Sequence, residues 1–199
     1  YFEAFLNDPL SQLTSPSGLT FYGGFLLVCA AHFYYGTKKG IKASHLADAS
    51  CLGTLAGYGI GRLGCHLSGD GDWGVINLNP KPNWLTWLPD WAWSYTFPHN
   101  AYKQGQPIAG CIGEYCTELT KGVYPTSLYE FVFCGLLFIF LWIIRKKITT
   151  PGLLSIAYLV GSAIGRFLIE MIRINPQFEL FGTNLSQAQI IAIAIVVFC

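Results

Sequence analysis

The 199-residue chain is 52% hydrophobic and 16% aromatic, with 12% charged residues, a formal net charge of +1 and a mean hydropathy of +0.42. Soluble domains carry about 25% charged residues, so this chain is too poor in charge to cover its own surface against water, and bilayer is the expected solvent. The near-neutral charge and the lack of a basic stripe argue against nucleic acid, and seven cysteines without CxxC spacing argue against a zinc knuckle or thioredoxin-type motif.

A spanning helix needs about 20 mostly apolar residues. The first such run, about 19–36, carries Tyr22, Gly23 and Gly24 near one end. The two glycines allow a backbone or a lipid to approach closely, and Tyr22 is either an ordinary interfacial aromatic or a group that meets substrate. His32 and His45 read as structural. The second run, about 44–64, is weakly apolar and contains Asp48. Its Gly53, Gly57 and Gly61, spaced by four, suit a helix packed among others rather than one facing lipid.

That run passes into "GRLGCHLSGDGDWG", residues 61–74, which opens a long outer segment of about 65–126. Arg62 stands at the start of the stretch. His66, four residues on, either reaches the same site for proton transfer or is a satisfied interfacial histidine. Trp73, Trp84, Trp87, Trp91 and Trp93 follow, as an interfacial belt or membrane-lying lid would have them; a small folded cap accounts for them equally well. His99, between Pro98 and Asn100, reads as a loop residue. Cys111 and Cys116 would pair if this segment faces an oxidising compartment.

"YPTSLYE", 124–130, is a helix-entry signal into the third run, about 127–144, where Glu130 needs a cationic or hydroxyl partner on a neighbouring helix. The fourth run, about 152–173, carries Arg166, Glu170 and Arg173, whose spacings of 4 and 3 put them on one face. A fifth run begins near 185 and is cut by the end of the chain. With no initiating Met, the sequence reads as a fragment lacking residues at each end. No internal repeat favours an inverted-repeat transporter.

Lys38, Lys39 and Lys42 between the first two runs, and Arg145, Lys146 and Lys147 between the third and fourth, make those connections cytoplasmic by the positive-inside rule. Arg62 and the Arg166 face then lie at similar depth towards the outer leaflet. An arginine within a span costs about 2.5–3.5 kcal/mol on insertion scales, so two of them call for a purpose. One possibility is that Arg166 and Glu170 neutralise each other while Arg62 and Arg173 snorkel to the headgroups. The other is a positive surplus that binds an anionic lipid phosphate through guanidinium forks.

Taken together, "GLTFYGG", "GRLGCHLSGDGDWG", "YPTSLYE", "GRFLIEMIRINP" and "SQAQII", in this order and spacing from about residue 18 onwards, resemble the prolipoprotein diacylglyceryl transferase family. The resemblance implies an all-α polytopic membrane protein of the bacterial plasma (inner) membrane, here with about five spanning helices and without the family's amino-terminal ones. It implies one transferase domain over 1–199, with an outer-face, periplasmic insertion at about 65–126. The implied reaction moves the diacylglyceryl group of phosphatidylglycerol to the lipobox cysteine thiol of a prolipoprotein signal peptide, with no cofactor and no metal. Arg62 falls on the family's signature arginine, associated with phosphatidylglycerol binding, and Arg166 on its essential arginine in the later helix. Glu170 and Arg173 fall on the acid and arginine that follow, Asp48 on an acid in the preceding helix, and Gly69 and Gly74 on signature glycines. The implied lipid site is Arg62, Arg166, Gly23, Gly24, Gly69 and Gly74, supported by Asp48, Glu130, Glu170 and Arg173.

The chain departs from the family pattern in three places. Tyr22 stands where the family often has a histidine proposed as a base, Cys65 where Asn is usual, and Tyr124 where His is usual; the "DGDW" stretch is also one residue longer. These changes leave the proton acceptor open between Tyr22 and His66. The readings that compete with an enzyme are a degenerate protein that binds anionic lipid without turnover and an anion channel. A channel needs a polar stripe along whole helices, and "FVFCGLLFIFLWII" has none.

Overall fold

A computed structural model describes the backbone of residues 21–174, 177–180 and 183–199, and the side-chain surroundings of residues 27–174 and 185–199. It divides into two compact units, Tyr1–Ala47 and Asp48–Cys199.

In the first unit, α1 (Phe21–Lys38) ends where Gly40 adopts a left-handed φ of 74°, which a glycine reaches without steric cost. The Ile41 N–H then returns to the Gly36 carbonyl at 3.0 Å and closes the helix end. Gly36 lies under Leu46, in the first turn of α2 (Ala43–Ser68), and a side chain there would collide with it. Tyr22, Gly23 and Gly24 fall in the first turn of α1, and their surroundings lie outside the described residues.

The second unit is built on the rest of α2, on α3 (Thr126–Ile144) and on α4 (Leu153–Glu170). Cys51 and Leu55 of α2, Cys134 and Leu141 of α3 and Leu154 of α4 form its buried core. Gly161 and Gly165 let α4 close on α3, because a side chain at either would run into Leu137 or Phe133. The outward faces are as apolar as the core: Leu136, Ile139, Phe140 and Ile143 on α3 and Ile164 and Leu168 on α4 are all exposed. Water would penalise that surface at about 25 cal/mol per Å²; lipid would not. By length and composition α3 and α4 are the helices, among the described residues, able to cross a membrane. Neither α1 nor α2 meets that measure. The short antiparallel pair β3 (Gln177–Leu180) and β4 (Thr183–Ser186) leads into α5 (Gln187–Phe198). The "SQAQ" start of α5 is a capping box: the Ser186 hydroxyl accepts from the Gln189 N–H, and the Gln189 side chain accepts from the Ser186 N–H.

Residues 69–125, between α2 and α3, fold rather than sprawl. Trp73, Phe97, Leu119 and Val123 form a second buried cluster, and β1 (Gln106–Pro107) pairs with β2 (Thr117–Glu118). Asn100 is the hub, 1% exposed, its amide donating to the carbonyls of Phe97, Gln104 and Thr117. Cys111 and Cys116 are joined by a disulfide at the far end of this insert.

Two expectations are corrected. The stripe of Gly53, Gly57 and Gly61 meets nothing within 4 Å, so it packs no helix among the described residues; Gly59 instead touches Cys134. Asp48 supports the structure rather than a site. Its carboxylate accepts the N–H groups of Gly152 at 2.6 Å and Ser155 at 2.8 Å, capping the positive N-terminus of α4 from a different helix. Arg62 lies about 21 Å further along α2. Asp48→Ala is therefore expected to cost about 2–3 kcal/mol and to lower the thermal midpoint in detergent, with Asp48→Asn costing less; an unchanged midpoint would contradict this capping role.

Candidate functional site

Six charged side chains converge where the insert meets α2, α3 and α4. Glu130, in the first turns of α3 and 5% exposed, stands at the centre. One oxygen faces the Arg62 Nε of α2 at 2.8 Å, and the other takes a hydrogen bond from an Arg166 guanidinium nitrogen of α4 at 2.7 Å. Arg173, just past α4, lies 3.8 Å from the same carboxylate. Arg166 also reaches Glu170 at 3.2 Å, one turn along α4. Arg166 and Glu170 share a face of α4 as expected, whereas the expected helix stops at Glu170 and Arg173 joins the cluster from the chain beyond it, bridged to Gly74. Glu130 has the cationic partners that its position demanded.

The expected positive surplus is absent from the described residues. Asp72, in the loop after α2, pairs with both Arg62 and Arg173, so three guanidiniums face three carboxylates. Physics favours this balance, since an unpaired charge in a low-dielectric site costs several kcal/mol. The Tyr58 ring lies under Arg62, 4.9 Å from its guanidinium carbon. Arg166 is the most open of the three arginines, its side chain 29% exposed against 17% for Arg62 and 12% for Arg173.

Asp72 is held by its backbone. Thr126 donates its hydroxyl to the Asp72 carbonyl at 3.0 Å, the Gly74 N–H bonds the Tyr124 carbonyl at 2.8 Å, and the Val75 N–H bonds that of Ile172 at 2.9 Å. The loop is thereby stitched to the start of α3 and the end of α4. Sequence reading quoted Asp72 within its motif but gave it no role; an acid two residues before Gly74, with no other duty, was the available signal.

Gly74 serves this stitching, and Gly69 lets the chain pass against Asn100; neither opens a berth for a headgroup among the described residues. Gly69, at φ 62°, lies against Asn100, whose Cβ would stand 2.7 Å from an added side-chain carbon. At Gly74 the same carbon would meet the Ile172 carbonyl at 2.5 Å and Thr126 at 2.8 Å. Protein occupies both spaces.

His66 lies past the apolar run, in the last turn of α2, and is 7% exposed among Trp91, Tyr95 and Phe97. Its Nδ1 has no hydrogen-bond partner among the described residues, and burial lowers its pKa below 6.5. Its ring packs among aromatics, and no hydrogen bond or ion pair joins it to the six-residue cluster among the described residues. Cys65, Asp70 and Asp72 bring a thiol and two carboxylates within 4.8 Å of one another. The two guanidiniums on Asp72 oppose a cation there.

The sequence profile of the prolipoprotein diacylglyceryl transferase family matches residues 1–199. The chain is 31% identical over 200 residues to the phosphatidylglycerol–prolipoprotein diacylglyceryl transferase of Vibrio parahaemolyticus, a match covering 98% of this chain and 62% of that protein. It is 30% identical over 195 residues to the same-named protein of Vibrio vulnificus, covering 96% and 60%. It is 31% identical over 200 residues to that of Aliivibrio fischeri, covering 98% and 59%. The chain thus spans about three fifths of the length of these curated relatives.

Proposed function

We propose that this chain, which belongs to the prolipoprotein diacylglyceryl transferase family, transfers the diacylglyceryl group of phosphatidylglycerol to the thiol of a lipobox cysteine in a prolipoprotein, the first step of bacterial lipoprotein maturation. The observation that carries this reading is the meeting of Arg62 and Arg166, from separate helices, on one buried carboxylate at 2.8 and 2.7 Å. Such a pair brings to one place two planar forks of the kind that match phosphate oxygens.

In the reaction the substrate thiol, of ordinary pKa about 8.5, gives up its proton and attacks the glyceryl carbon bearing the phosphodiester. A carbon–sulfur bond forms, the carbon–oxygen bond breaks, and glycerol phosphate leaves with the electron pair. Negative charge grows on the departing phosphate, and arginines in a low-dielectric site stabilise it most effectively there. Because the cluster is balanced, an incoming phosphate must take the place of a carboxylate. Arg166, the most open fork, meets it first, and Asp72, on a loop and 21% exposed, is the acid able to give way.

Membrane residence rests on the family and on α3 and α4. The finer placement, in the plasma membrane with the cluster towards the outer leaflet, is supported by the basic connections at Lys38–Lys42 and Arg145–Lys147. The disulfide of the insert agrees, since such bonds persist in oxidising compartments. An anion channel is disfavoured because the buried polar residues of α3, Thr126, Ser127 and Glu130, are confined to its first turns.

The experiment that tests the reading is complementation of a strain depleted of its own transferase by the gene carrying this chain. Rescue of growth and of lipoprotein processing is expected; growth arrest with the protein present in the membrane would count against turnover.

Tyr22 and His66 remain the candidates for the thiol proton. Tyr22→Phe is expected to weaken substrate use while leaving measurable turnover. If His66 accepts the proton, His66→Gln lowers turnover severely, and the wild-type rate rises with pH through a value below 6.5, the direction in which burial moves this imidazole. Full activity of His66→Gln alongside a dead Tyr22→Phe would assign the step to the hydroxyl instead.

A further inference from the structure

The stretch 82–92 of the insert contains two short 3-10 turns, Asn83–Leu85 and Asp90–Ala92, each entered from an extended proline, Pro82 and Pro89. The turns sort the sequence "NWLTWLPDWA" onto two faces. Leu85 and Leu88 are partly covered and Ala92 is buried, while Trp84 and Trp87 turn outward, 75% and 76% exposed; Trp91, 48% exposed, keeps its ring beside His66. By contrast Trp73 is 6% exposed and Trp93 bonds its indole N–H to the Asn79 carbonyl, so of the five tryptophans of the insert Trp84 and Trp87 are the two aimed away from it. A water-facing loop gains nothing from bare indoles, each of which carries a large apolar area.

The depth of this stretch is set by the spanning helices. The Tyr129 hydroxyl, one turn into α3, donates to the Ala92 carbonyl at 2.9 Å, and the Trp91 ring lies 6.1 Å from His66 in the last turn of α2. The stretch is therefore tied to the level at which the apolar span of α3 begins. Indoles with exposed rings and an N–H to hydrate are suited to that level.

We infer that residues 82–92 dock into the headgroup–acyl boundary of the adjoining leaflet, with Trp84 and Trp87 as the anchors. The partner is lipid itself, engaged by ring burial rather than by headgroup recognition. This docking rests on the membrane-spanning reading of α3 and does not require transferase activity. It holds the insert, and with it Asp72, at a fixed height over the arginines.

The test is tryptophan fluorescence of the protein in phosphatidylcholine–phosphatidylglycerol vesicles whose acyl chains carry bromine either near the carbonyls or near the methyl ends. The difference between wild type and Trp84→Phe/Trp87→Phe isolates the two indoles, and the difference with Trp142→Phe in α3 reports a spanning-helix position in the same vesicles. The Trp84 and Trp87 signal is expected to lose more emission to the shallow bromines than to the deep ones, and little to aqueous iodide. A signal untouched by brominated lipid and quenched by iodide would overturn the docking while Trp142 still responds. So would shielding that appears only when a signal peptide is added, since the face would then belong to the substrate's apolar segment. Loss of lipid quenching at Trp142 as well would overturn the spanning reading beneath it.

Discussion

Arg62→Ala and Arg166→Ala are each expected to slow diacylglyceryl transfer by on the order of 100- to 1,000-fold while the protein still folds and enters the membrane. The rate falls because each variant removes a fork from the developing charge on the leaving phosphate. The fold survives because the network is redundant around these two positions. Without Arg62, Glu130 keeps Arg166 and Asp72 keeps Arg173. Without Arg166, Glu130 keeps Arg62. Lysine at either position should rescue poorly, since an ammonium supplies charge but not two parallel donors. Full activity in either alanine variant, measured on purified protein with matched expression, would remove that arginine from the site.

Glu130→Ala is expected to have the largest structural effect. This carboxylate faces all three arginines, and its loss would leave them with two acids in a site shielded from water. Breaking a buried pair in this way costs about 3–5 kcal/mol. The thermal midpoint in detergent should drop well below that of either arginine variant. Glu130→Gln, which keeps the shape and an acceptor oxygen, should recover part of the stability and little of the activity, because the forks lose the charge that orients them. Equal midpoints for Glu130→Ala and wild type would mean that the arginines are not organised around this residue.

Much of this arrangement was legible from residue spacing. Arg166 and Glu170 share a face because a helix repeats every 3.6 residues, although the helix ends at Glu170 and Arg173 arrives from the turn beyond it, and an acid inside an apolar run had to find a cation. The charge balance was not legible, because Asp72 reaches the cluster through a loop whose path depends on long-range hydrogen bonds to Tyr124 and Ile172. Asp48 was misread for a related reason: an acid within a helix announces that it needs a partner, but not that the partner is a helix start more than 100 residues on, at Gly152 and Ser155. The glycines at 53, 57 and 61 show the converse error. Small residues at a spacing of four permit close packing, yet among the described residues the helix-to-helix approaches fall at Gly59, Gly161 and Gly165 instead. Among the tryptophans, period and composition could not separate the buried Trp73 from the outward Trp84 and Trp87, since Trp73 is covered by the long-range cluster with Phe97, Leu119 and Val123 and the other two are turned out by a stretch built on 3-10 turns.

The most direct test of the central claim is to follow both products of one reaction. The protein carrying this chain, purified and supplied with phosphatidylglycerol and a synthetic lipobox peptide, should convert the peptide to its diacylglyceryl thioether and release glycerol phosphate in equal amount. Neither product should appear when the peptide cysteine is replaced by serine, and both should fall together in Arg62→Ala. Phosphatidylglycerol bound by the wild-type protein, with the peptide left unmodified and no glycerol phosphate released, would contradict the account and identify a lipid-binding protein without turnover.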